Sequence, residues 1–95
     1  MRSIFHKNFK KFVRKIRDET LFNLIKSKVD GVVGNPAKGK LLEQPFRKYK
    51  VRGISFDYKN NSYRIAYLLN KGENEIVFLL IDSRENFYSK LRKIL

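Results

Sequence analysis

The chain has 95 residues, enough for one hydrophobic core, and we expect a single domain over residues 1–95. Its 22 lysines and arginines outnumber 9 acidic residues, and the resulting net charge of +13 predicts a polyanionic partner. The sequence has no cysteine, which excludes disulfides and thiolate metal sites, and none of its apolar runs approaches the about 20 residues that span a bilayer. We expect a soluble, cytoplasmic protein that does not enter a membrane.

The first third of the chain predicts a short strand and a helical hairpin. Residues 2–6 can pair as an edge strand. The helix that follows has apolar residues at helical spacing, namely Phe9, Phe12, Val13 and Ile16. The second helix has a similar apolar stripe, formed by Leu21, Leu24, Ile25, Val29 and Val32. We expect Thr20 to be its N-cap, and Gly34 to end it in the left-handed conformation before Pro36.

Cations dominate the segment from residue 36 to 52, where Glu43 is the only acid. They are Lys38, Lys40, Arg47, Lys48, Lys50 and Arg52. Within residues 48–52 cations alternate with apolar residues, so the pattern predicts a strand with its three cations on one face. The apolar positions beyond it change parity, and a β-bulge at Gly53 would restore the register. The basic face either binds an anion together with a neighbouring strand or only protects the edge of a sheet.

The last part of the chain predicts three antiparallel strands and a terminal helix. Turns at residues 59–61 and 70–74 separate a strand that ends at Tyr58 from two strongly apolar strands. The helix follows Ser83 or Asp82 as its cap, with its apolar positions at Phe87, Leu91, Ile94 and Leu95. The order β-α-α-β-β-β-α, with helices packed against a small antiparallel sheet, is an α+β fold.

Conventional catalytic groups are scarce. His6 is the only histidine, and it stands alone between a strand and a helix. The acidic residues are scattered without metal-ligand spacing, and no glycine-rich phosphate loop is present. This inventory disfavours metal catalysis and conventional hydrolase chemistry, and we expect neither a metal nor a cofactor.

Two arginines occur in the apolar strands and are the leading functional candidates. Arg64 lies within the first of them, where an unpaired guanidinium is costly to bury, so it either opens onto a cleft or pairs with Asp57 or Asp82. Arg84 ends the second strand, and Tyr88 lies one helical turn beyond it. Together they can present a guanidinium and a phenol to one ligand. The alternative is a solvated Arg84 and a buried Tyr88.

The order of these features resembles the RelE/ParE toxin superfamily. Members have a strand matched here by Ser62-Tyr63-Arg64-Ile65-Ala66-Tyr67, then a strand that ends in an arginine and is followed by a tyrosine. The second part is matched by Asp82-Ser83-Arg84-Glu85-Asn86-Phe87-Tyr88. The helical hairpin ending at Asn35-Pro36 and the stretch Gly39-Lys40-Leu41-Leu42 resemble the upstream half of the family. The resemblance covers essentially the whole chain and implies a RelE-like fold.

The resemblance implies the toxin of a toxin-antitoxin pair, an endoribonuclease of the mRNA interferase type that cuts messenger RNA in the ribosomal A site. The 2′-hydroxyl of the RNA attacks the adjacent phosphate, so the protein needs only to position it, move protons and stabilise charge. By position, Arg64 resembles the arginine that contacts the scissile phosphate. Arg84 resembles the arginine near the leaving 5′-oxygen, and Tyr88 the tyrosine that orients or stacks on the substrate.

The lysines of the family's catalytic strand fall on Lys48 and Lys50 or, after a shift, on Lys50 and Arg52. We therefore place Lys50 among the catalytic residues. RNA contacts are expected from the other cations of the segment, which are Lys40, Arg47, Lys48 and Arg52. If Arg52 occupies the general-base position, proton abstraction is weakened, because arginine does not readily deprotonate.

The resemblance also implies partners, which are messenger RNA, the ribosome and an acidic, partly disordered antitoxin encoded nearby. A body with a charge of +13 suits such an antitoxin. Two other functions remain open. One is a ParE-like toxin that binds DNA gyrase and cuts nothing, a branch that typically lacks the cleavage residues. The other is a non-catalytic double-stranded-RNA-binding module, whose lysine-rich final helix is not matched by Ser89-Lys90-Leu91-Arg92-Lys93.

Overall fold

A five-stranded mixed sheet carries helices on both of its faces. In this computed structural model, which describes residues 1–95, the strands are β1 (Arg2–Phe5), β2 (Lys40–Leu41), β3 (Arg52–Tyr58), β4 (Asn61–Asn70) and β5 (Glu75–Ser83). The helices are α1 (Lys7–Lys15), α2 (Glu19–Gly34) and α3 (Arg84–Ile94), with a short 3₁₀ helix at Phe46–Tyr49. The predicted α+β class is confirmed, and the two-residue β2 and the 3₁₀ helix add to the predicted order.

The strands lie in the spatial order β1-β5-β4-β3-β2. Neighbours from β2 to β5 are antiparallel, as predicted, whereas β1 pairs with β5 in parallel, from Arg2 opposite Glu75 to Phe5 opposite Phe78. The predicted N-terminal edge strand is thereby confirmed, and it makes the sheet mixed. None of the three helices combines the length and the apolar character needed to cross a bilayer.

Hydrophobic clusters occupy both faces of the sheet. The face covered by α1 and α2 buries Phe9, Leu21, Ile25, Val29, Val32, Phe56, Ile65, Tyr67, Ile76, Phe78 and Ile81. The face covered by α3 buries Leu42, Phe46, Val51, Ala66, Leu79, Leu80, Phe87 and Leu91. Full burial of a large apolar side chain contributes ~1.5–3 kcal/mol, so these two clusters are the main source of stability. The predicted apolar stripes of the three helices face them, except for Leu95, which is exposed and lies beyond the end of α3.

A β-bulge interrupts the pairing of β4 with β5. Ala66 pairs with Leu80 but the next residue, Tyr67, pairs with Phe78, so Leu79 is an additional residue in β5. Side chains normally alternate between the two faces of a strand. The additional residue allows Leu79 and Leu80 both to join the cluster under α3.

The two ends of α2 differ in detail from the prediction. The N-cap is Asp18 and not Thr20, because the Asp18 carboxylate accepts hydrogen bonds from the backbone N–H groups of Thr20 and Leu21. The helix ends at Gly34, as predicted, but no glycine in the chain has a positive φ. The helix is instead capped by Asn35, whose N–H donates to the carbonyls of Gly31 and Val32. The left-handed conformation expected at Gly34 is therefore wrong.

The strand predicted over residues 48–52 is also wrong. Phe46 is buried and begins the 3₁₀ helix, and Lys50 caps it in the left-handed conformation with φ of 58°. β3 begins only at Arg52, and its register with β4 is continuous through Gly53, so the bulge expected there is absent. A Cβ at Gly53 would lie 2.9 Å from the Leu42 side chain, which explains the glycine by close packing.

Both predicted turns are confirmed. Lys59 and Asn60 connect β3 to β4 with φ of 47° and 65°, the two positive values that a tight hairpin turn with the right-handed twist of the strands requires. Residues 71–74 connect β4 to β5. These short connections fix the antiparallel register that sets the neighbours of Arg64.

Candidate functional site

Arg64 lies in β4 on the face that α3 covers, opposite Ser55 of β3. Its Nε donates a hydrogen bond to Ser55 Oγ at 2.8 Å, and its Nη1 donates to the hydroxyl of Tyr88. The guanidinium carbon is 5.5 Å from the ring centroid of Tyr88 and 6.0 Å from that of Phe87. Two hydroxyl groups and two aromatic rings therefore fix the orientation of this half-buried cation.

No carboxylate forms an ion pair with Arg64, although Asp82 is its cross-strand partner in β5. Asp57 accepts a hydrogen bond from Ser62 at 2.6 Å, and Asp82, which is buried, forms an ion pair with Lys90. Arg64 takes part in none of the four ion pairs of the chain. The alternative in which Asp57 or Asp82 neutralises Arg64 is wrong. The charge of Arg64 is held in place by neutral groups and remains available to an anion.

Arg64 and Tyr88 line a cleft of about 480 Å³. Three lysines line the same cleft. Lys28 lies in α2, Lys38 in the segment between α2 and β2, and Lys40 in β2. Glu43 is the single acid among the lining residues. Convergence of like charges is unfavourable unless an anion compensates it, so the cleft is suited to phosphate groups.

A second, smaller cleft of about 240 Å³ shares Ser55 and Arg64 with the first. Arg84 and the acid Asp57 also line it, together with Ser62 and Tyr63. Arg84 is the exposed first residue of α3, one helical turn before Tyr88. Arg64 thus shares one cleft with Tyr88 and the other with Arg84.

Tyr88 does not bury its ring in the core. It is 37% exposed and lies with its ring centroid 5.9 Å from that of Phe46 and 5.1 Å from that of Phe87. The alternative of a buried Tyr88 is therefore wrong. The exposed ring offers a surface on which a nucleic-acid base can stack, and base stacking on an aromatic side chain contributes ~1–3 kcal/mol.

The other cations predicted to contact RNA are distributed differently from the expectation. Lys40 lines the Arg64 cleft, whereas Lys48, Lys50, Arg47 and Arg52 line neither cleft. The Arg47 guanidinium pairs with Glu43 at 3.3 Å, and the Lys48 ammonium lies 5.1 Å from the ring centroid of Tyr49. Lys50 is exposed at the end of the 3₁₀ helix.

Arg52 lies on the opposite face of the sheet from Arg64, because its partner across the strands is Tyr67 while Arg64 pairs with Ser55. The expected convergence of a basic strand face with Arg64 is consequently wrong. Lys28 and Lys38 take the place of that face in the cleft. Lys38 belongs to the basic segment, but Lys28 sits among polar residues of α2 and no local pattern distinguishes it.

These observations define a small α+β protein in which Arg64 and three lysines line one cleft. Residues 4–92 match the model of a family described as ParE-like toxins of type II bacterial toxin-antitoxin systems. The match spans almost the entire domain, and the chain belongs to this family of toxins. A comparison with curated proteins gave no match.

Solved structures of E. coli RelE are similar in fold. A variant of RelE with two arginines changed to alanine, in the free state, has a TM-score of 0.72 and 21% identity, with 99% of this chain and 97% of that chain covered. The isolated E. coli RelE toxin has a TM-score of 0.66 and 19% identity, covering 99% and 98%. The intact E. coli RelBE toxin-antitoxin complex has a TM-score of 0.63 and 18% identity, covering 84% and 92%. The predicted RelE-like fold is confirmed.

Proposed function

We propose that this toxin is a ribosome-dependent endoribonuclease that cleaves messenger RNA in the A site. The observation that carries the proposal is the unneutralised guanidinium of Arg64, oriented by Ser55 and Tyr88 at a cleft with three lysines. A site of this kind stabilises the negative charge that develops on a phosphate during displacement. The similarity to E. coli RelE in fold supports the same assignment.

In the proposed reaction the RNA supplies its own nucleophile. The 2′-oxygen forms a bond to the adjacent phosphorus, the bond from phosphorus to the 5′-oxygen breaks, and a 2′,3′-cyclic phosphate results. The 2′-hydroxyl loses a proton and the leaving 5′-oxygen gains one. Arg64 stabilises the extra charge on the phosphate, Arg84 stands at the leaving oxygen, and Tyr88 stacks on the neighbouring base.

The proton acceptor is assigned to a lysine. The family resemblance places it at Lys50, which is exposed at the end of the 3₁₀ helix, whereas Lys40 lines the cleft beside Arg64. Arg52, the other residue considered for this position, donates to a main-chain carbonyl on the opposite face of the sheet. Single Lys40→Met and Lys50→Met variants, compared on saturated ribosomes, show which of the two lysines the chemical step requires.

The test of the proposed cleavage is inducible expression of the wild type and of Arg64→Ala and Arg84→Ala variants, with the ends of cellular messenger RNAs mapped. Wild type should stop growth and produce cuts within codons. Removal of one preorganised donor to a developing oxyanion costs roughly 10²–10³ in rate, so both variants should lose the cuts and permit growth. Arg92→Ala changes an exposed arginine of α3 outside the two clefts and is the matched control.

Growth arrest with intact messages would contradict the proposal. It would instead favour the ParE-like alternative, in which the toxin inhibits DNA gyrase. The topology of a reporter plasmid recovered from the same cultures distinguishes the two functions, because gyrase inhibition reduces negative supercoiling and messenger RNA cleavage does not.

We also propose that an acidic antitoxin binds an apolar groove between α1 and α2. The groove has a volume of about 440 Å³, and its apolar lining is formed by Phe5, Phe9, Val13, Phe22, Ile25 and Val29. Lys10, Arg14 and Lys26 stand along the groove beside a single acid, Asp30. An amphipathic acidic segment is complementary to this combination of apolar floor and basic rim. The similar fold of the toxin in the E. coli RelBE complex supports a protein partner.

A further inference from the structure

The segment that carries two of the three cleft lysines has little regular structure of its own. It runs from Pro36 to Lys40, between the end of α2 and the two-residue strand β2. Within it the Lys38 N–H donates to the Asn35 carbonyl at 2.9 Å. A segment with so few local bonds needs other contacts to hold one conformation.

Tyr67 supplies two of these contacts from the middle of β4. Its side chain is fully buried, and its hydroxyl accepts a hydrogen bond from the Gly39 N–H and donates one to the Pro36 carbonyl, both at 2.8 Å. Burial raises the pKa of the phenol above its ordinary 10.0, so it stays protonated and keeps its donor. A Cβ on residue 39 would lie 2.7 Å from this hydroxyl, so the approach requires glycine.

Arg52 supplies the third contact. Its Nη1 donates to the Gly39 carbonyl at 2.7 Å, so both polar backbone groups of Gly39 are held by side chains from the sheet. Arg52 and Tyr67 are cross-strand partners on the face opposite Arg64. Their hydrogen bonds hold the segment from the face of the sheet opposite Arg64.

The lysines on either side of Gly39 are the ones that reach the cleft. Lys40 pairs with Gly53, two residues before Ser55 in β3, so its side chain lies on the Arg64 face of the sheet. Lys38 and Lys40 both line the cleft with Arg64. Fixing Gly39 therefore fixes the backbone from which both ammonium groups extend.

We infer that Tyr67 and Arg52 are positioning residues, which hold Lys38 and Lys40 at the Arg64 cleft for RNA phosphate binding without touching the RNA. The inference deepens the proposed function and rests on it for its substrate. It assigns Arg52 a role different from the direct RNA contact expected from the sequence. It also predicts that a buried phenol on the far face of the sheet controls affinity for the substrate.

The test compares Tyr67→Phe with wild type in two measurements. The first is hydrogen exchange of the Gly39 amide, which loses its acceptor in the variant and should exchange about tenfold faster or more. The second is binding of a fluorescently labelled single-stranded RNA whose 2′-hydroxyls are methylated, so that it cannot be cut. Its dissociation constant should rise roughly tenfold, because looser lysines lose preorganisation. On programmed ribosomes KM should rise more than kcat falls.

A second comparison shows whether Tyr67 acts through the lysines. In a Lys38→Met/Lys40→Met background, Tyr67→Phe should cause no further loss of RNA affinity, since coupled residues are non-additive. Tyr58→Phe is the control for stability alone, because its hydroxyl donates to Asp18 at 2.7 Å and not to the lysine segment. It should lower the unfolding midpoint and leave RNA affinity unchanged. Arg52→Lys keeps the charge, loses the fixed geometry of the guanidinium, and should repeat the loss of affinity if Tyr67→Phe does not fold.

Each outcome bears on a different claim. Unchanged RNA affinity in both Tyr67→Phe and Arg52→Lys would overturn the inference, and so would an equal loss in the background that lacks the lysines. A wild type that binds the methylated RNA but leaves unmodified messages intact would overturn the proposed cleavage and leave this comparison valid. A wild type with no RNA affinity would overturn the inference as well.

Discussion

At the scale of single residues, Arg64 depends on neutral neighbours. Ser55 and Tyr88 orient its guanidinium without neutralising it, and Phe87 and Tyr88 flank it with aromatic rings. A guanidinium in an ion pair must give up its partner before it binds a phosphate, whereas Arg64 needs only to release hydroxyl groups. In the proposed activity, the neutral partners keep the cation available to a phosphate.

Ser55→Ala tests this dependence. The change removes the acceptor for Arg64 Nε, and because Ser55 is exposed on β3 it should alter stability by less than about 1 kcal/mol. A hydrogen bond to a charged group contributes ~1.5–3 kcal/mol, so messenger RNA cleavage on programmed ribosomes should slow roughly 10- to 100-fold. Ser27→Ala, on the exposed side of α2, is the control. Equal rates for the two variants would show that Ser55 does not orient Arg64.

The sequence predicts some of these residues and not others for a physical reason. Arg64 is conspicuous because a cation is costly inside an apolar strand, and Arg84 because it directly follows one. Lys28 is not, because on the polar side of α2 it resembles Lys26, and only the tertiary structure shows which of the two faces the cleft. The engagement of Arg52 with a main-chain carbonyl is likewise a tertiary contact that no local pattern encodes.

At the scale of elements, Asp18 joins the start of α2 to the turn between β3 and β4. It caps the helix through two N–H groups, accepts a hydrogen bond from the Tyr58 hydroxyl at 2.7 Å and pairs with Lys59 at 3.3 Å. The pKa of the Asp18 carboxyl lies below its ordinary 3.8. The largest cause is the hydrogen bond from Tyr58, followed by the hydrogen bond from the Leu21 N–H and the interaction with Lys59. The carboxylate form is therefore the one that stabilises the fold.

This shift predicts a pH dependence with a definite sign. Because the pKa is lower in the folded state than in the unfolded state, the stabilisation is fully present above the ordinary pKa of 3.8 and is lost as pH falls through the folded value. Asp18→Asn, which keeps a capping oxygen and removes the charge, should lower the urea midpoint at neutral pH. The difference from wild type should vanish in strong acid. Asp30→Asn, an exposed change in the same helix, is the control for removal of a carboxylate as such.

The segment before β3 shows where element prediction fails. Five residues that alternate cations with apolar side chains fit a strand, but the same five also fit the end of a 3₁₀ helix followed by an extended residue. Burial of Phe46 in the cluster under α3 and the left-handed conformation of Lys50 decide between them. The longer apolar strands and helices leave no such ambiguity, and all of them are confirmed.

At the scale of the whole molecule, the net charge of +13 and the apolar groove between α1 and α2 contribute differently to binding. The charge attracts any polyanion over a distance, while the groove selects an occupant with an apolar face. Phe22 is 43% exposed in this groove, an unusual position for a large aromatic side chain without a partner. It is the residue through which the antitoxin proposal is tested most directly.

Phe22→Glu should weaken binding of the proposed acidic antitoxin. Loss of an aromatic anchor costs about 2 kcal/mol or more, so the dissociation constant in calorimetry should rise roughly 30-fold or beyond. Tyr49→Glu makes the same change of charge at an aromatic residue that is 44% exposed outside the groove, and it should have little effect. Similar losses in both variants would mean that general electrostatics and not the groove holds the antitoxin.

The cleft draws its side chains from distant parts of the chain. Lys28, Ser55, Arg64 and Tyr88 belong to four different elements, and Tyr88 lies in the last of them. The N-terminal strand β1 also pairs with residues far along the chain, 75–78 of β5. A chain that lacks α3 contains Arg64 but not the Tyr88 hydroxyl or the two aromatic rings that flank the guanidinium. The cleft is therefore complete only after α3 has packed against the sheet.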